Sequence, residues 1–88
     1  MTIVSKQQRL MRTIDFERTG DYLSCYGSDA LIVARELGLV ILTVDKRHET
    51  PRHPAGQSHT ALPVHAQEKD FSTLRKLDWL PRVIEVTA

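Results

Sequence analysis

The chain has 88 residues, 12 Lys and Arg against 11 Asp and Glu, and 41% hydrophobic residues. That length accommodates one small domain with a modest core, and the ordinary hydrophobic and charged content excludes a disordered chain. The net charge of +1 excludes adhesion to nucleic acid by bulk charge and leaves room only for a local basic patch.

Cys25 is the one cysteine, so an intrachain disulfide is excluded and a reducing compartment is expected. MTIVSKQQRLMR lacks the long apolar region of a secretory signal, and no apolar run reaches the length of a membrane span. The expectation is a soluble cytoplasmic protein with no membrane partner.

MRTIDFERTGDYLSCY predicts a β-hairpin. Leu10, Ile14 and Phe16 share one face at period two, Arg18 to Asp21 supply the turn, and Tyr22 to Tyr26 return. A competing reading is a helix from Lys6, with Ser5 and Gln8 as a capping box and Leu10, Met11 and Ile14 as its stripe. From Ser28 to Leu37 a helix is predicted, capped by Ser28 or Asp29. Ala30, Val33, Ala34 and Leu37 form its apolar face, Leu31 and Ile32 widen it, and the helix is expected to be buried on most sides. Gly38 stops it.

LVILTV, Leu39 to Val44, then predicts a central strand buried on both faces. A Pro-, Gly- and His-rich loop follows over 48–59. HTALPVH reads as an edge strand whose pairing is limited by Pro63. DFSTLRKLDWLP predicts a second helix, capped by Asp70, with Phe71, Leu74 and Leu77 inward and Pro81 ending it. RVIEV, Arg82 to Val86, is a terminal strand that presents an edge, as the hairpin also does. The fold expected is a single α+β domain over 1–88, with a short, mostly antiparallel sheet and two helices. Its order is hairpin, helix, strand, loop, strand, helix, strand.

Two short resemblances bear on residues 29–48. VARELG resembles the first helix and turn of bacterial helix-turn-helix regulators, with Ala34, Gly38 and Val44 in that family's small, turn and buried positions. This resemblance implies a recognition helix through TVDKRH, with Thr43, Lys46, Arg47 and His48 at the DNA. Val40, Ile41 and Leu42 oppose it, since they would stand where polar base readers belong. DALIVARELGLVILTVDKRH is similar to the late helix–strand unit of PIN-like nucleases. That similarity implies a divalent metal near Asp29, Thr43 and Asp45. Only 28 residues precede Asp29, too few for the early half of that fold.

The histidines, His48, His53, His59 and His65, are spaced by five, six and six residues. None forms the i, i+4 pair of a helical metal site, and on a strand His59 and His65 would stand about 20 Å apart. They are expected to be exposed loop residues. Cys25 has no nucleophile signature around it and is expected to fill core space. Phe71 and Trp79 are expected in the core or an interface. Glu68, Asp70, Asp78 and Glu85 neutralise Arg75, Lys76 and Arg82. No glycine-rich phosphate loop is present, and no cofactor is expected.

These features favour a non-enzymatic interaction or accessory module that self-associates as a homodimer, or binds another protein, through Trp79, Leu80, Val83, Ile84 and Val86. A DNA-binding regulator using residues 34–48 is the alternative, and a metal-dependent nuclease is the second alternative.

Overall fold

Alternation of apolar and polar residues sets the first two strands. The computed structural model describes residues 12–85. Within it β1 (Thr13–Thr19) and β2 (Tyr22–Tyr26) form the expected hairpin. Gly20, at φ +62°, supplies the left-handed turn residue between Thr19 and its partner Tyr22. Leu10 and the start of the competing helix lie outside the described residues. Ile14 is in β1, so such a helix does not reach it.

Helix α1 (Ser28–Leu37) has the predicted span and ends at Gly38, whose φ of 70° is left-handed. Its N-cap is Gly27, and no side chain caps it; Asp29 is directed elsewhere. Ala30, Val33 and Ala34 are buried but Leu31 is exposed, so one face is covered rather than most sides.

The largest departure is LVILTV. Only Leu42 and Thr43 form a strand, β3, and it pairs with β4 (Ser58–Pro63) at the margin of the sheet. Val40 is 74% exposed and Leu42 55%, whereas Val44 is buried. A run of apolar residues is compatible with a buried strand, but three longer strands and two helices already fill this small core. The run therefore crosses the edge. Because 39–48 are a short strand and a 3-10 turn (Lys46–His48), the recognition helix of a helix-turn-helix is not formed.

HTALPVH is corrected likewise. Its strand, β4, lies inside the sheet between β3 and β2, and Pro63 stands at its last position where a missing donor costs least. Helix α2 spans Gln67–Lys76, so Asp70 lies in its first turn rather than at its cap. It ends before Pro81, which belongs to β5 (Leu80–Ile84). The terminal strand thus begins two residues before the predicted RVIEV.

The sheet order is β3-β4-β2-β1-β5, a mixed sheet in which β5 runs parallel to β1 and the other pairings are antiparallel. The hairpin is central, contrary to its expected edge position. The domain is α+β, as expected. Ile14, Phe16, Leu23, Cys25 and Leu62 share a core with Ala30 and Val33 of α1 and Phe71 and Leu74 of α2. One face of the sheet therefore carries both helices. Strand alternation puts Asp15, Glu17, Tyr22, Tyr26 and His59 on the other. Among the described residues no helix is long and apolar enough to cross a membrane.

Candidate functional site

The helix-free face is the starting point. Tyr26, the last residue of β2, is the cross-strand partner of His59 on β4. Their rings stack, with centroids 4.9 Å apart and planes at 18°. The loop after β3 then folds back toward the sheet. Its ends are tied by Val44 N–H to the Gln57 carbonyl at 2.8 Å and by Gly56 N–H to the Val44 carbonyl at 2.9 Å. This brings His53 onto Tyr26 at 3.5 Å and 13°.

His53 is held from both sides. Its Nδ1 lies 3.1 Å from Gln57 Oε1 and its Nε2 lies 2.9 Å from Glu17 Oε2. The Arg52 guanidinium donates to the same Glu17 oxygen. Glu17 on β1 is thereby the anchor of the loop.

A cavity of about 230 Å³ opens beside this stack, bounded by Tyr26, His48, His53 and His59 with Thr43 and Asp45. Three of the four histidines therefore converge, and His53, with only 15% of its side chain exposed, is not the exposed loop residue expected. His65 lies apart in the 3-10 turn Val64–Ala66. Among the described residues no group of three His, Cys, Asp or Glu is placed to hold a metal ion. Burial, and then His53, holds His59 below the usual imidazole value of 6.5, so its ring is neutral at neutral pH. Burial, and then Glu17, raises the Tyr26 phenol, which stays protonated.

The rim carries Lys46 and Arg47 together with the carboxylate of Asp45. Asp45 caps the turn Lys46–His48 by accepting from Arg47 N–H at 3.0 Å, and its other oxygen accepts from the Arg47 guanidinium at 3.0 Å. These bonds lower its pKa. Lys46, Arg47 and His48 are exposed. Thr43, Lys46, Arg47 and His48 thus occupy one margin of the sheet, as strand and turn rather than helix.

The remaining predicted residues have other partners. The Asp29 carboxylate accepts the Asp15 N–H at 3.1 Å and joins α1 to β1, while Asp45 serves the turn. Neither carboxylate is set out for a metal in the manner of a PIN-like nuclease. Cys25 is buried; burial, and then Asp29, pushes its thiol up to about 12, far from a nucleophile's range.

Trp79 is half-buried against the core. Its indole N–H donates to Glu36 Oε2 at 3.1 Å, and the Arg12 guanidinium lies 4.2 Å over its ring. Arg12 also donates to the carbonyls of Leu77 and Asp78, each at 2.7 Å. Leu80 and Val83 are 52% and 42% exposed, Ile84 is half-buried, and Val86 lies outside the described residues.

Spacing did not reveal the Tyr26–His53–His59 stack. Two of its members meet only through the β2–β4 register, and the third only through loop closure. The signal in the sequence was the histidine-rich loop itself, between two predicted strands.

Comparison with known proteins gives the lineage. MutS domain I matches residues 3–71, which include the loop and its rim. The DNA mismatch repair protein MutS of Synechococcus elongatus is 35% identical over 69 residues, covering 78% of this chain and 7% of that protein. MutS of a second Synechococcus strain matches over the same proportions, 78% and 7%, at 35% identity. The chain therefore spans 7% of the length of the curated relatives it matches. At this coverage and identity, the chain belongs to the MutS domain I family.

Proposed function

We propose that this domain is a DNA-binding accessory module with no chemistry of its own, and that it meets the phosphate backbone through Lys46, Arg47 and His48. The observation that carries this reading is the match to MutS domain I over residues 3–71, with relatives named as DNA mismatch repair proteins. The cationic turn supports it, because that turn lies within the matched span and exposes three basic side chains in succession. With a net charge of +1, attraction to a polyanion rests on such a patch.

The test is fluorescence anisotropy with a labelled duplex across a salt series. Binding is expected to strengthen as salt falls. Lys46→Ala and Arg47→Ala are each expected to weaken it and to reduce the salt slope by about one. A chain that ignores duplex DNA at low salt, or whose binding is unmoved by both substitutions, would overturn the reading.

A further inference from the structure

We propose that the cavity beside Tyr26, His53 and His59 takes a single nucleobase, stacked against these rings with its phosphate at Lys46 and Arg47. The occupant rests on the DNA-binding reading; the shape and chemistry of the cavity stand independently of it. Three flat side chains lie nearly parallel at the cavity wall, within 18° of Tyr26. The ligand that continues such an array is another flat ring, and base–aromatic stacking tolerates any base because every base has a π-face.

The wall is mostly apolar, and its one carboxylate, Asp45, is paired with the Arg47 guanidinium. His59 and Tyr26 are in their neutral forms, and Thr43 and Thr50 border the space. His59 and the threonines offer donors and acceptors to the edge of a base, while Tyr26 contributes its ring. His53 has both ring nitrogens engaged, by Gln57 and Glu17, which leaves it a stacking surface rather than a metal ligand. A volume of about 230 Å³ is below the range of drug-sized sites, ~300–1,000 Å³, and suits one ring system. Lys46 and Arg47 belong to the turn whose cap, Asp45, and last residue, His48, border the cavity, so a phosphate carried by the base would meet that turn.

The measurement is NMR of the histidine ring protons during titration of the whole chain with deoxyadenosine monophosphate. Parallel titrations use inorganic phosphate and deoxyribose 5-phosphate. The nucleotide is expected to move the His48 and His59 signals upfield, saturably, while the two base-free phosphates do not. His59→Ala should weaken nucleotide binding about ten-fold, and Tyr26→Phe should preserve it. His48 borders the cavity from the exposed turn, so His48→Ala should also weaken nucleotide binding, and it gives a second variant that leaves the strands intact.

Equal shifts from inorganic phosphate would overturn the proposal in favour of an anion site. Absence of a saturable shift would overturn it, as would binding indifferent to both histidine substitutions. Nucleotide binding by a chain that ignores duplex DNA would uphold the cavity and defeat the DNA-binding reading. Salt-sensitive duplex binding without any nucleotide shift would defeat the cavity alone.

Discussion

Asp29 shows how one carboxylate can resemble a catalytic ligand and serve as a joint. It sits in the first turn of α1, where a negative charge is favoured, and reaches across to the Asp15 N–H. Burial, and then repulsion from Asp15, raise its pKa from 3.8 against the lowering by that hydrogen bond. An acid whose folded pKa is raised contributes stability below the unfolded value and loses it as pH rises through the folded value. Asp29→Asn keeps the acceptor oxygen and removes the charge. It is expected to unfold in urea at neutral pH with a midpoint at or above that of wild type, and to lack the loss of stability just above pH 3.8. Asp29→Ala removes the acceptor and is expected to cost about 1–2 kcal/mol, since it strands a partly buried N–H. Equal midpoints for all three proteins would show that the joint carries no stability.

Among the elements, the end of α2 has a strained residue with a stated cost. Asp78 adopts φ 70°, the left-handed conformation that glycine fills without penalty. The geometry returns the chain sharply toward β5: the Trp79 N–H reaches the Leu74 carbonyl at 2.9 Å, and Arg12 donates to the carbonyls of Leu77 and Asp78. Asp78→Gly is expected to raise stability by about 0.5–1 kcal/mol, with the Arg12–Trp79 contact preserved, as read by urea midpoint and Trp79 fluorescence. A lower midpoint would place the value of Asp78 in its side chain rather than its backbone. Elements with local signals were legible in the sequence. The hairpin was visible in Ile14 and Phe16 around Gly20, and α1 in its apolar face and Gly38. The β3 segment was not, because a run such as Val40-Ile41-Leu42 says only that it is apolar. Whether it is central or marginal depends on how many other strands compete for the core.

At the scale of the whole molecule, sheet order and the stacked site both depend on pairings between residues distant in sequence, such as Tyr26 with His59 and Thr13 with Leu80. Local periodicity carries no information about those. The parallel placement of β5 beside β1 also leaves β5 at a margin of the sheet. The Leu80 N–H bonds to the Arg12 carbonyl, so alternation turns the nitrogen of Pro81 to the outer edge. That edge lacks one donor, a feature that blunts strand addition. Self-association through β5 must then depend on side chains, and Leu80 and Val83 flank the edge from opposite faces with about half their surface exposed. Trp79, also expected at that contact, is engaged by Arg12 and Glu36 and packs against the core. We therefore expect a weak two-fold dimer, seen by light scattering as a mass that falls toward that of one chain on dilution. Val83→Lys and Leu80→Lys should each give a folded monomer at every concentration, because either places a charge where a partner would cover it. Trp79→Ala should instead destabilise the fold by about 2 kcal/mol, read as a lower urea midpoint, with association changed through folding. A wild-type chain that scatters as a monomer over the whole dilution series would remove β5 as a self-association surface.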